Sequence, residues 1–89
     1  MAGFEAELFR VGEPGGWHFV RIPDDHAPDG AGAWGRSPIM ATVEGQRWTT
    51  SAWRDTQRGW LLAVPKRIRG SFEEGDTVHV EIEPDPERL

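Results

Sequence analysis

The sequence predicts a mainly β protein, a small closed double-split β-barrel of about six strands with one or two short helices. Frequent turn residues, short alternating segments and a weak internal repeat support this fold class. The 89 residues include 11 glycines and 7 prolines, and the segments between them are too short for most helices. The length suffices for one domain, which we expect over residues 1–85, followed by a frayed tail over 86–89.

Alternation of apolar and polar residues places the strands. In chain order the predicted strands cover residues 4–9, 17–22, 39–44, 47–53, 60–64 and 78–83. Gly45 predicts a tight hairpin turn, because glycine can adopt a positive φ. Pro65 predicts the start of a short helix over about 66–72, because proline lacks the N–H that a first helical residue leaves unbonded. Residues 24–35 predict a loop with one short helical turn.

A weak internal repeat divides the chain into two halves. Trp17 begins a β-type run that ends at Pro23, and Trp60 begins a similar run that ends at Pro65. A polar segment, a glycine and an alternating strand follow each proline. Two such halves can pair about a pseudo-twofold axis and close a barrel, which removes exposed sheet edges. We expect Trp17 and Trp60 to anchor the core of the two halves.

The charge distribution leaves two interpretations open. The net charge of −5 argues against a general polyanion binder. Residues 36–69, however, contain seven basic and two acidic side chains, whereas both flanking segments are acidic. Either these charges pair across the folded surface, or the middle segment forms a patch that faces an anion.

The residue content argues against several classes of site. The chain has no cysteine, which excludes disulfides, thiolate nucleophiles and cysteine-ligated zinc and fits a reducing cytoplasm. An acidic N-terminus and the lack of a long apolar run predict neither a signal peptide nor a membrane helix. His18 and His79 have no recognisable nucleophile motif nearby. We therefore expect a cytoplasmic protein that is not an enzyme.

Two further motifs carry no cofactor or metal prediction. The glycines of 30–35 match the letters of a dinucleotide fingerprint, but Pro38 and a strand follow where that motif needs a helix. Asp24, Asp25, His26 and Asp29 match no metal-loop spacing, so we expect them to cap a short helix. No cofactor and no metal are predicted.

Tryptophan and arginine supply the candidate binding surface. Trp48 and Trp53 are five residues apart, so on a regular strand they face opposite sides, and at least one should be exposed. An exposed tryptophan beside arginine can stack a planar ligand or a base, or can simply pack against the arginine. Lys66 and Arg69 share a helix face that could meet phosphate or pair with acids at 73–76. The candidate ligand-binding residues are Trp48, Trp53, Arg54, Arg58, Trp60, Lys66 and Arg69.

The second half contains a pattern of strand, proline, basic helix, Gly-Asp and strand. It runs through Val64-Pro65-Lys66-Arg67-Ile68-Arg69 and Glu74-Gly75-Asp76-Thr77-Val78-His79-Val80. This pattern resembles the swapped-hairpin unit of bacterial transition-state regulators and antitoxins. In those proteins two chains together form a double-split barrel, and the dimer binds DNA. The resemblance implies a related fold and, as one alternative, a nucleic-acid-binding regulator.

A second set of features extends over nearly the whole chain, from Phe4 to Asp85. It consists of Phe4 to Leu8, Gly16-Trp17 to Pro23, Ala41-Thr42-Val43-Glu44-Gly45, Thr50-Ser51, Gly59 to Val64, Lys66, Arg69 and Gly75-Asp76-Thr77-Val78. In these features the chain resembles the family of domain of unknown function 1905. This resemblance implies a double-split barrel held within one chain, and hence a monomer. It implies no established activity. The function we expect is a binding or interaction module that takes a small planar or peptide-like ligand through its Trp/Arg surface.

Overall fold

A computed structural model describes residues 3–12, 17–28 and 36–84, and within them it contains seven strands, one α-helix and one 3-10 turn. The elements are β1 (Phe4–Glu7), β2 (Phe9–Val11), β3 (Trp17–Arg21), the 3-10 turn (Asp24–His26), β4 (Arg36–Val43), β5 (Gln46–Asp55), β6 (Gly59–Ala63), α1 (Lys66–Arg69) and β7 (Thr77–Pro84). The strands form one antiparallel sheet that curves as a half-barrel, in the order β1-β7-β4-β5-β6-β3-β2. The mainly β prediction is thereby confirmed.

The first predicted strand is divided at Leu8 into β1 and β2. Leu8 N donates to Asp76 O over 2.9 Å, and Gly75 N donates to Leu8 O over 2.8 Å, so this residue bonds to the turn before β7 instead of to a strand. The division lets β1 pair with β7 while β2 pairs with β3. The two outermost strands of the sheet order are therefore consecutive in the chain.

One hydrophobic core lies on the concave side of the sheet. Ile39, Ala41 and Val43 of β4 are buried, as alternation predicts, and Val78 and Val80 of β7 lie beside them. Burying each large aliphatic side chain contributes roughly 1.5–3 kcal/mol before entropy is counted. The other members of this cluster are Phe4, Leu8, Val20, Ile22, Trp48, Ala52, Trp60, Leu62, Val64 and Ile68.

The predicted turn at Gly45 is confirmed, and its left-handed conformation extends to the preceding residue. Gly45 has φ 84° and Glu44 has φ 48°, the pattern of a tight hairpin connection between β4 and β5. Glu44 is held there by β7, because Glu44 Oε2 accepts from His79 N over 2.7 Å and Glu44 N donates to His79 O over 3.0 Å.

The prediction that both Trp17 and Trp60 anchor the core is wrong for Trp17. Trp60 is 7% exposed and lies in the core, whereas Trp17 is 66% exposed. Val20 and Leu62 are buried and lie directly opposite each other on β3 and β6. Trp60 precedes Leu62 by two residues and shares its face. Trp17 precedes Val20 by three residues and therefore points to the other side of the sheet.

The two helical segments also differ in detail from the expectation. Helix α1 ends at Arg69, short of residue 72, and Gly70 follows with φ 60°. In the 3-10 turn, Pro23 occupies the N-cap position without a side-chain cap bond, so Asp24 and Asp25 lie in the first turn and do not cap it.

Several predictions concern residues outside the described ranges. These are Asp29, the glycine-rich segment at 30–35, and the tail at 86–89. Within the described ranges, no group of three or more His, Cys, Asp and Glu side chains is placed to hold a metal ion. Nor does any helix there have the length and apolar character to cross a bilayer.

Candidate functional site

An aromatic groove lies on the convex face of the sheet, across β3, β6 and β5. Its volume is about 360 Å³. The alternation that buries Val20 and Leu62 turns their neighbours outward, and these neighbours form the floor and walls of the groove. The residues that line the aromatic groove are Trp17, Phe19, Trp53, Arg54, Asp55, Leu61 and Ala63.

Strand register sets the shape of the aromatic groove. Leu61 of β6 lies between Trp53 of β5 and Arg21 of β3, and Trp17 is four residues from Arg21 on the same strand. At about 3.4 Å per residue along a strand and about 4.8 Å between strands, the backbones at Trp17 and Trp53 are ~17 Å apart. The aromatic groove therefore runs diagonally over the sheet with a tryptophan at each end.

The end of the aromatic groove at Trp53 is basic. The guanidinium carbon of Arg36 lies 5.0 Å from the centre of the Trp53 ring, a cation–π arrangement. Arg54 forms no ion pair with any residue that the structure describes, so its charge is available to a ligand. Asp55 is already engaged, because its Oδ2 accepts from Gln57 N over 3.0 Å and from Arg58 N over 2.7 Å.

The seven predicted site residues do not form one site. Trp53 and Arg54 line the aromatic groove. Trp48 and Trp60, only 8% and 7% exposed, belong to the core. Arg58 lies on the turn after β5, where its Nη1 is 3.7 Å from Asp55 Oδ2. The two remaining residues are in α1: Lys66 is exposed, and Arg69 lines a different cavity.

Arg54 also borders a second cavity of about 400 Å³ at the end of the β5–β6 hairpin. Arg54 and Trp60 lie directly opposite each other in register, and both line this cavity. Asp24, Ala27 and Pro28 form its other side. Arg54 thus borders both the aromatic groove and this second cavity.

A polar cavity of about 350 Å³ lies at the end of the β2–β3 hairpin and is distinct from the aromatic groove. It is lined by Arg10, His18, Arg69, Glu73 and Glu74. Burial, followed by the positive charges of Arg69 and Arg10, lowers the pKa of His18 below its ordinary value. His18 is therefore the neutral imidazole near pH 7.

His79 forms a surface cluster with acidic residues across β1 and β7. Its Nδ1 lies 2.7 Å from Glu5 Oε2 and its Nε2 lies 3.3 Å from Glu81 Oε2. Only the doubly protonated ring can donate to both carboxylates. The hydrogen bond to Glu5 is the main cause that raises the pKa of His79, and the bond to Glu81 adds to it. The outward orientation predicted for His79 is consistent with its exposed side chain.

The basic middle segment is paired only in part. Arg47 Nη2 lies 3.6 Å from Glu83 Oε1, and Arg58 pairs with Asp55 inside its own turn. Arg36 stacks on Trp53. Both interpretations of the segment therefore describe some of its residues. Within the described ranges, Arg54 and the basic side chains of α1 form no ion pair.

The sequence analysis missed Trp17, Phe19 and Leu61 as site residues. A signal was present in the spacing from the prolines, because side chains alternate along each strand. Trp60 is five residues before Pro65, whereas Trp17 is six before Pro23. Since the residue just before each proline is buried, this difference turns Trp17 outward.

The comparison with known proteins agrees with the extent of this sheet. No curated protein matches the sequence at a significant level. The family described as "Domain of unknown function (DUF1905)" matches residues 4–82, which include nearly all of the sheet from β1 to β7. The resemblance found in the motifs is confirmed, and the chain belongs to the DUF1905 family.

Proposed function

We propose that this protein acts by binding, and that the aromatic groove holds a small, elongated, peptide-like ligand with apolar groups and a carboxylate. One observation carries the proposal. Trp17 and Trp53 are the large apolar side chains that stay exposed among the described residues, and both line the same groove. Apolar surface gathered in a concavity with a few polar groups is the usual form of a ligand site.

The dimensions of the aromatic groove favour an extended ligand over a single ring. A length of ~17 Å suits about five residues of extended peptide, at about 3.4 Å each. The volume of about 360 Å³ falls at the small end of ligand pockets. One flat ring would contact only one of the two tryptophans, whereas apolar groups at both ends of a short peptide would cover both.

The charge beside Trp53 favours a carboxylate on the ligand. Arg54 lines the aromatic groove without an ion pair in the described part of the chain, and Arg36 lies over the adjacent ring. A guanidinium can hold a carboxylate through two parallel hydrogen bonds. We expect the acidic group to lie at this end and an apolar group to lie against Trp17.

Calorimetric titration with the tetrapeptide acetyl-Phe-Ala-Leu-Phe tests this proposal. The free acid should bind more tightly than its C-terminal amide, and Trp17→Ala and Trp53→Ala should each weaken binding. Arg54→Gln should remove the preference for the acid, whereas Arg67→Gln on exposed α1 should keep it. Equal binding of acid and amide, or tighter binding of 2-naphthoate than of the peptide, would contradict the proposed ligand class.

We also propose that the sheet closes into a pseudo-twofold double-split barrel within one chain. The strand pairing supports this. β1 and β2 follow each other in the chain, yet β1 pairs with β7 at one end of the sheet and β2 pairs with β3 at the other end. The residues just before Pro23 and Pro65 make matching hydrogen bonds in the two halves. Ile22 N donates to Trp60 O, and Val64 N donates to His18 O, each over 2.9 Å. Closure predicts slow amide exchange in β1 and β2, and rapid exchange there would contradict it.

The closed single-chain barrel leads us to propose a monomer, located in the cytoplasm and without a cofactor. Both halves of the internal repeat lie in one chain, so a second chain is not needed to complete the barrel. The absence of cysteine suits a reducing compartment. Analytical ultracentrifugation should give the mass of one chain, and a stable dimer at micromolar concentration would contradict this part.

A nucleic-acid-binding regulator is the second candidate function. The observation in its favour is an exposed tryptophan, Trp53, with the guanidinium of Arg36 over its ring, since bases stack on such rings. Affinity of this kind would fall steeply with salt. A mobility-shift assay with single-stranded and duplex oligonucleotides at low salt tests it, and the absence of any shift would remove this candidate.

A further inference from the structure

The polar cavity at the end of the β2–β3 hairpin brings together three nitrogen-bearing side chains from three elements. Arg10 of β2 lies directly opposite His18 of β3, so these two side chains share one face of the hairpin. Arg69 reaches the same cavity from α1. The cavity volume of about 350 Å³ is ample for a small ion and part of an attached group.

Arg69 is held in place but is incompletely bonded. Its Nη1 donates to Phe72 O over 2.9 Å, which fixes the guanidinium beside the turn after α1. Its Nε is shielded from solvent and has no hydrogen-bond partner among the described residues. A buried donor on a charged group is costly to leave unbonded, and such atoms are rare in folded proteins. An acceptor supplied by a ligand would remove this cost.

The cavity contains two arginines and two glutamates, and the arginines act more strongly on His18 than the glutamates do. Arg69 and Arg10 lower the pKa of His18 more than Glu74 and Glu73 raise it. Arg10 Nη2 lies 3.6 Å from Glu74 Oε1, and both side chains are partly exposed. Such pairs contribute little to stability, so an anion of higher charge can compete with Glu74 for Arg10.

We propose that Arg10, His18 and Arg69 bind a phosphate group, either as the free ion or as the ester of a larger molecule. A tetrahedral dianion presents oxygens in several directions, which suits donors that arrive from β2, β3 and α1. The site is independent of the aromatic groove, because His18 and its neighbour Trp17 point to opposite faces of β3. It adds a second ligand, of different chemistry, to the proposed function.

Proton NMR of the His18 ring during titration with inorganic phosphate tests the site directly. Phosphate should shift the His18 resonance with a saturable curve and should raise the pKa of His18, because the bound anion favours the charged ring. The resonances of His26 and His79, which line no part of this cavity, serve as internal controls. A His18 resonance that does not respond, or equal shifts of all three histidines, would overturn the proposal.

Variants test whether the arginines hold the anion. Arg69→Gln should weaken phosphate binding about tenfold, the effect of losing one charge-assisted hydrogen bond. Arg67→Gln removes the same charge from the exposed side of α1 and should leave the affinity unchanged. If Arg69→Gln does not fold, Arg10→Gln supplies the same test. Glu74→Gln should tighten binding, because it releases Arg10. Equal affinities in all of these variants would overturn the proposal.

Other anions distinguish the two sources of the phosphate group. Glycerol phosphate that binds more tightly than inorganic phosphate would support an ester ligand, and equal affinity would support the free ion. Acetate should bind more weakly than either, because it carries one charge and two oxygens. Acetate that binds as tightly as phosphate would overturn the assignment to a tetrahedral dianion.

Discussion

Trp48 and Trp53 lie on the same strand, β5, but on opposite faces of the sheet. Trp48 packs in the core with 8% of its surface exposed, whereas Trp53 is 43% exposed and lines the aromatic groove. The core of so small a domain needs the first ring for stability. The second ring is left where a ligand can reach it.

This difference predicts unequal losses of stability. Trp48→Ala leaves a cavity in the core and should lower the free energy of unfolding by about 3–5 kcal/mol. Trp53→Ala loses an exposed cation–π contact with Arg36 and should cost about 1 kcal/mol. Urea denaturation followed by circular dichroism measures both. Equal losses in the two variants would contradict the placement of the rings.

The cluster around His79 predicts a pH-dependent contribution to stability. Because the folded-state pKa of His79 is raised above 6.5, this contribution is fully present below about pH 6.5 and is lost as the pH rises through the raised value. NMR titration should show the raised pKa, and Glu5→Gln should lower it more than Glu81→Gln does.

The Glu5→Gln variant also distinguishes the contribution of His79 to stability from that of His18, whose lowered pKa has the opposite effect on stability. The difference in unfolding free energy between the unmodified protein and Glu5→Gln should be largest near pH 6 and should shrink toward alkaline pH. A difference that grows as the pH rises would mean that His79 is not stabilised in its charged form.

Gly3 predicts a steric effect at the start of β1. A Cβ at this position would lie 2.6 Å from Val80 O and 2.6 Å from His79 Nε2. The backbone oxygen cannot move aside without disturbing the β1–β7 pairing, so Gly3→Ala should cost about 1–3 kcal/mol. Thermal unfolding measures the loss, and an unchanged melting temperature would show that the strands do not approach this closely.

Asp55 and Arg58 allow the turn after β5 to be tested bond by bond. Asp55 accepts two backbone N–H bonds, from Gln57 and Arg58, so Asp55→Ala should cost about 1 kcal/mol. Arg58→Ala removes only an exposed ion pair and should change stability by less than about 0.5 kcal/mol. Chemical denaturation of both variants measures the two losses of stability. A larger loss in Arg58→Ala than in Asp55→Ala would indicate that the ion pair holds the turn.

Local patterns in the sequence predicted the strands, because alternation and turn conformation depend only on residues that are close together in the chain. The alternation of Ile39, Ala41 and Val43 and the positive φ of Gly45 needed no tertiary information. The break between β1 and β2 at Leu8 did need tertiary information, because it depends on hydrogen bonds to Gly75 and Asp76, far along the chain. No local pattern distinguishes such a break from a continuous strand.

The site was predicted less completely than the fold for the same reason. Trp53 and Arg54 were predicted and lie in the aromatic groove, but the groove also needs Trp17. The repeat aligned Trp17 with Trp60, and one additional residue before Pro23 reversed the side that Trp17 faces. Which distant side chains meet on that face depends on the pairing of β3 with β6, which the sequence alone does not state.

Fluorine NMR of the protein labelled with fluorotryptophan tests the ligand-binding proposal most directly. With each resonance assigned by single Trp→Phe variants, titration with acetyl-Phe-Ala-Leu-Phe should shift the resonances of Trp17 and Trp53. Those of Trp48 and Trp60, which lie in the core, should stay in place. Shifts confined to Trp48 and Trp60, or no shift at Trp17 and Trp53, would contradict a binding site in the aromatic groove.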